Sequence, residues 1–220
     1  MAPAQSGNIT QRLSLQHAAS WLLALTVLLV IATLSWRAGT DRHRLPDGPI
    51  RWQHIDPGTA LRDWQWIVIH HSAAEVGSTG GIDRDHRNRG WEGIGYHFVI
   101  GNGMPMPIGS IEWTFRWRLQ RHGAHVATRD YNQTGIGICL IGNFQEQRPD
   151  PLQYARAIDL AAVIIEHIPN LSPEQVIGHG EALGANTDCP GRYLDMDTFR
   201  TDLHERLAER GHWLPQHSDF

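Results

Sequence analysis

Hydrophobic and polar positions divide this 220-residue chain into segments of different character. From Ala18 to Trp36, 19 consecutive residues carry no charge, and no polar stripe interrupts them. At a rise of ~1.5 Å per residue such a helix reaches ~28 Å, about the depth of a bilayer's hydrocarbon core. Trp21 and Trp36 stand near its ends, where indole rings anchor at the membrane interface. The stretch is long for a cleaved signal peptide, and no small-x-small cleavage site follows Ser35-Trp36-Arg37. It therefore reads as a retained transmembrane anchor. Residues 1–17 form a tail before it, and residues 37–62, rich in Gly, Pro, Asp and Arg, read as a juxtamembrane linker.

From residue 63 the pattern becomes that of a folded domain. Trp66-Ile67-Val68-Ile69-His70 is a short β-branched run, as are Ile94 to Ile100 and Ile136 to Ile141, and Gln175-Val176-Ile177-Gly178 leads into His179. Runs of this length and composition predict buried strands. Asp150 followed by Pro151 predicts a helix start, with apolar residues continuing to Ile168. A closing helix is predicted from about Asp197 to Arg210, with Phe199, Leu203 and Leu207 on one stripe and Gly211 as its stop. Strands alternating with helices predict one α/β domain over 63–212, followed by a tail at 213–220.

Composition narrows the function. The formal net charge is −4, which gives no basic footprint and argues against a nucleic-acid partner. All 19 cations are Arg, so no lysine is present to serve as an electrostatic catalyst or Schiff base. The 14 His and 9 Trp suit a site that binds metal and sugar. Two cysteines are too few for a disulfide scaffold, and Cys139, in an apolar strand, reads as a buried thiol. The charge run Asp83 to Arg89 reads as a solvated helix face.

Three positions form the candidate metal set: His70 at the end of the first strand, His179 at the end of the last, and Cys189 in the loop that follows. Imidazole and thiolate suit Zn²⁺, and three protein ligands leave a fourth position for water, as in catalytic sites. Their spacing alone is weak, but the blocks around them are specific. Val68-Ile69-His70-His71-Ser72-Ala73, Gly90 to Phe98, Gly123-Ala124-His125, Tyr131 to Ile138, Ile177-Gly178-His179 and Thr187-Asp188-Cys189-Pro190-Gly191 occur in one order. Together they resemble the zinc amidase family shared by phage amidase-type lysozymes and peptidoglycan recognition proteins, over about Trp66 to Leu194.

The resemblance implies a mixed central β-sheet flanked by helices, with zinc held in a groove by His70, His179 and Cys189. It implies cleavage of the amide between N-acetylmuramic acid and L-alanine in peptidoglycan or muropeptides. Tyr96 matches the family's catalytic tyrosine. Thr187 occupies the position where phage members carry a lysine, a substitution shared with catalytic recognition proteins. His125, Trp91 and Asn132 are expected to touch substrate. Strand alternation sends His71 to the opposite face from His70, and His97 away from Tyr96 into the core.

Two further readings of the function stay open: a non-catalytic peptidoglycan-binding module, and a cytoplasmic-facing amidase acting on recycled muropeptides. Arg37, Arg42, Arg44 and Arg51 follow the apolar span against Arg12 before it, which favours a cytoplasmic domain. The family's polymeric substrate argues the other way, for a single-pass inner-membrane protein with a periplasmic domain. The sequence leaves the oligomeric state undetermined.

Overall fold

A computed structural model describes residues 44–212 together with Thr26. Five strands form one mixed sheet: β1 (Trp66–His71), β2 (Phe98–Ile100), β3 (Ile111–Trp113), β4 (Gly135–Leu140) and β5 (Val176–Gly178). Their spatial order is β3-β2-β4-β1-β5, with β3 alone antiparallel to its neighbour. The helices are α1 (Thr79–Asn88), α2 (Phe115–Arg118), α3 (Arg129–Thr134), α4 (Pro151–His167) and α5 (Met196–Glu209). This is the mixed sheet with flanking helices that the resemblance implies.

The strand period of two sorts β1 between two environments. Ile67 and Ile69 join Phe98, Ile100, Ile136, Ile138 and Leu140 in the main core, which α4 and α5 complete. Val68 belongs to a separate apolar cluster with Ile177 and Ala182, and His70 follows it on that second face. Parallel strands buried on both sides need this near-continuous apolar character. Helix α4 begins as predicted, the Asp150 side chain accepting the Leu152 and Gln153 N–H groups ahead of Pro151. Helix α5 starts slightly earlier than predicted, because Asp195 caps it by accepting from Thr198. Its stripe of Phe199, Leu203 and Leu207 is buried as expected.

Two expectations are corrected. Residues 44–62, read as linker, belong to the folded unit. Arg44 bridges to Glu112, the Leu45 N–H donates to the Ile111 carbonyl at 2.8 Å, and Leu45, Ile50 and Ile55 are buried in the main core. Single apolar residues between glycines and prolines have no period, so the sequence pattern hid them. The strand expected over Ile94–Ile100 is regular only at Phe98–Ile100. Gly93 and Gly95 turn the preceding residues into a loop, and the Gly93 φ of +148° lies in the region that favours glycine.

Among the described residues no helix is long and apolar enough to cross a membrane. The span expected at 18–36 lies outside them except for Thr26.

Phe199 is fully buried and meets Tyr154 edge-to-face at 5.6 Å across the α4–α5 contact. Phe199→Ala is expected to destabilise the domain by about 3–5 kcal/mol. Urea denaturation measures this, and a loss under about 1 kcal/mol would contradict the packing described.

Candidate metal centre

The carboxyl ends of β1 and β5 lie side by side, because the two strands pair in parallel from Ile67↔Val176 to Ile69↔Gly178. His70 therefore leaves β1 beside the point where His179 follows β5 in a single 3-10 turn. The loop after that turn folds back: the Gly180 N–H donates to the Cys189 carbonyl at 2.6 Å, and the Cys189 N–H donates to Thr187 Oγ1 at 3.2 Å. One donor atom from each of His70, His179 and Cys189 lies within 4.8 Å of the others. Cys189 Sγ is 3.8 Å from His70 Nδ1. Tetrahedral zinc with its usual bond lengths would set such a sulfur–nitrogen pair about 3.5 Å apart. Two imidazoles and one thiolate at this spacing fit Zn²⁺.

The electrostatics agree with that fit. Burial, aided by the neighbouring His125, His179 and His71 imidazoles, holds His70 well below its ordinary value, and burial also lowers His179. Both are therefore neutral near pH 7, as a metal ligand must be. Burial pushes the Cys189 thiol up to about 11, against the pull of the His71 backbone N–H. A buried thiol of this kind ionises when a cation arrives to share its charge.

Tyr96 stands beside the cluster, its ring 5.0 Å from that of His70. Burial, with Cys139 and Cys189 nearby, raises its phenol well above the ordinary value, so it keeps its proton and can donate. A network fixes the loop that carries it. Arg116 Nε donates to the Ile94 carbonyl at 2.5 Å, the Gly95 N–H donates to His86 Nδ1 at 2.9 Å, and Thr114 Oγ1 donates to the Tyr96 carbonyl at 2.7 Å. A Cβ on Gly95 would stand 2.0 Å from the Ala124 carbonyl oxygen, so no larger residue fits there. Thr187 is exposed, and its hydroxyl oxygen accepts from Cys189, which leaves its proton free.

The three residues expected to touch substrate separate. Trp91 is 42% exposed, packs its ring 4.5 Å from that of His86 and is available to a ligand. His125 is buried, with one ring nitrogen against His70 and the other against the Gly135 carbonyl. Asn132 spends its amide on the neighbouring loop, its Oδ1 accepting the His125 and Val126 N–H groups and its Nδ2 donating to the Val126 carbonyl. The polar atoms of both are thus engaged within the protein. His71 follows the alternation argument, its Nδ1 accepting the Phe144 N–H, whereas His97 precedes the regular strand and is buried by the loop, its Nδ1 accepting the Gly137 N–H.

Sequence reasoning passed over Arg116 and His86. Arg116 is 1% exposed while Arg118 is exposed, and nothing in the Phe115–Arg118 pattern separates them. His86 lies within the charge run read as a solvated face, yet it is buried. Its spacing of four from Ile82, which packs against a second small core, was the available signal.

A three-donor cluster with an exposed hydroxyl at its rim, at the carboxyl ends of parallel strands, defines the class of the site: a candidate mononuclear metal centre. A model of the N-acetylmuramoyl-L-alanine amidase family matches residues 60–192, and the chain belongs to that family. It is 33% identical over 129 residues to a pig N-acetylmuramoyl-L-alanine amidase, covering 56% of this chain but 20% of that protein. It thus spans about a fifth of the pig protein's length. Drosophila melanogaster peptidoglycan-recognition protein SA is 28% identical over 215 residues, covering 88% of this chain and 94% of that one. Among solved structures, the N-acetylmuramoyl-L-alanine amidase LysC from Clostridium intestinale URNW superposes with a TM-score of 0.54 at 27% identity, over 66% of this chain and 90% of its own.

Burial of neutral histidines makes stability depend on pH. Below the ordinary value of 6.5 the unfolded chain binds protons that buried His70, His97 and His125 refuse, the last being held at about 3. Their contribution is full above 6.5 and falls as pH drops from there toward those lowered values. Urea midpoints of the zinc-free protein should be lower at about pH 5 than at about pH 7.5. Equal midpoints would contradict the burial of neutral imidazoles.

Proposed function

We propose that this chain hydrolyses the amide bond between the lactyl carbonyl of N-acetylmuramic acid and L-alanine in peptidoglycan, with one Zn²⁺ held by His70, His179 and Cys189. The observation that carries the reading is the convergence of three donor atoms within 4.8 Å, with the protonated Tyr96 ring 5.0 Å from that of His70. The alternative, a non-catalytic recognition module, has no need of a complete His/His/Cys set beside a protonated phenol. The pig relative is an N-acetylmuramoyl-L-alanine amidase, which supports hydrolysis, whereas the Drosophila relative is named for recognition alone.

Zinc would supply Lewis acidity that polarises the carbonyl and acidifies water to a pKa of about 7. The chain supplies the rest. His70 and His179 present neutral nitrogens, and Cys189 a sulfur whose charge the cation offsets. Tyr96 donates its phenolic proton as a hydrogen bond to the carbonyl oxygen as negative charge grows there. Thr187 offers a second hydroxyl proton from the solvent side, a weaker contribution than a lysine cation would make. Trp91 presents an exposed ring on which a sugar can lie. In the balanced reaction the water oxygen bonds to the carbonyl carbon, the C–N bond breaks, and the alanine nitrogen leaves carrying a proton from that water.

Digestion of purified sacculi, with and without a chelator, followed by mass spectrometry of the new ends, tests the reading. Free L-alanine amino termini that vanish with chelator are expected, and their absence with zinc-loaded protein would refute hydrolysis. Tyr96→Phe should keep zinc and fold while losing about 10²-fold in turnover. Wild-type turnover in that variant would reduce Tyr96 to a packing residue.

A further inference from the structure

We propose that His125 is a positioning residue: through its hydrogen bond to His70 it fixes the tautomer that leaves His70 Nδ1 bare toward Cys189 and His179. The inference rests on the metal reading of that cluster, and it assigns His125 a task other than touching substrate.

The assignment follows from donors and acceptors taken in order. His125 Nε2 lies 3.2 Å from the Gly135 carbonyl oxygen, which can only accept, so Nε2 carries a hydrogen. A neutral imidazole has one such hydrogen, and His125 Nδ1 is therefore bare. That bare nitrogen lies 3.0 Å from His70 Nε2, which must then be the donor. His70 has spent its own hydrogen on Nε2, so its Nδ1 keeps a free lone pair, and this is the nitrogen 3.8 Å from Cys189 Sγ. The chain runs from metal ligand to imidazole to main-chain carbonyl and contains no charge.

The surroundings of His125 are built to hold one ring orientation. A Cβ on Gly123 would come within 2.3 Å of its Cδ2, and one on Gly137 within 2.7 Å, so two glycines open the slot in which the ring lies. Asn132 Oδ1 holds the His125 backbone N–H at 2.8 Å, and the Asn132 carbonyl accepts the Gly123 N–H at 2.8 Å. The acceptor for Nε2, Gly135, is the first residue of β4, whose pairing with β1 also sets the height of His70. One strand pair therefore fixes both ends of the relay. Partners that orient a ligating histidine in this way typically affect metal affinity 10–100-fold, roughly.

The test uses the full chain. Zinc affinity is measured by competition with a chromogenic chelator for wild type, His125→Phe and His125→Asn, and circular dichroism checks the fold. Asn places a carbonyl oxygen where Nδ1 was, so it can still accept from His70. The expected result is a loss of about 10–100-fold for His125→Phe, with most of it recovered in His125→Asn. Long-range ¹H–¹⁵N NMR of zinc-free wild type should show His70 protonated on Nε2 and His125 on Nε2, a readout that needs no variant to fold. Undiminished zinc affinity in folded His125→Phe, or a hydrogen on His70 Nδ1 in wild type, overturns the relay and leaves the hydrolase reading standing. A wild type that binds no zinc, yet shows both rings protonated on Nε2, retains the tautomer relay and overturns the metal and hydrolase readings.

Discussion

Everything at the site depends on the parallel pairing of β1 with β4 on one side and β5 on the other. Pairing with β5 brings the ends of two strands together, so that His70 meets His179 and a cysteine 119 positions further along the chain. Pairing with β4 sets His70 opposite Cys139 and carries Gly135 to the start of the same sheet. Because side chains alternate along a strand, a register slip of one residue would send His70 into the helix-packed core and present His71 to the cluster instead. The isoleucines at 67 and 69, locked among α4 and α5, hold that register. The apolar core and the polar site are in this sense two faces of one alternation.

Much of this was readable beforehand. The β-branched runs, the Asp150-Pro151 start and the stripe of Phe199, Leu203 and Leu207 state their elements directly, because period and capping are local properties. The three donors that converge, His70, His179 and Cys189, were readable from their blocks, since each lies within a distinctive local neighbourhood. What stayed hidden depends on contacts between distant segments. Leu45, Ile50 and Ile55 have no period to announce them, although they join a core built from segments that lie far along the chain. Arg116 becomes essential to the Tyr96 loop only once the Ile94 carbonyl arrives beside it. The partners of His125 and Asn132 are likewise a matter of tertiary hydrogen bonds, so the resemblance suggested the groove while the fold engages the polar atoms of both within the protein.

The buried imidazoles of His97 and His125 are placed so that both ring nitrogens of each find a partner without introducing charge. His97 receives the Gly137 N–H and reaches the Arg121 carbonyl with its other nitrogen, and His125 ends on the Gly135 carbonyl. Leaving such groups unpaired would cost about 1–3 kcal/mol each, so this satisfaction is a condition of folding as well as of chemistry. It also explains the glycines of this region, since imidazoles can enter a parallel sheet only where neighbouring side chains are missing.

The central claim is that His70, His179 and Cys189 together hold one zinc ion, and X-ray absorption at the zinc edge of the purified full chain addresses it most directly. The account predicts one sulfur at about 2.3 Å and two imidazole nitrogens at about 2.0 Å, with one further light atom completing four ligands. A shell without sulfur, or one with two sulfurs, would contradict it.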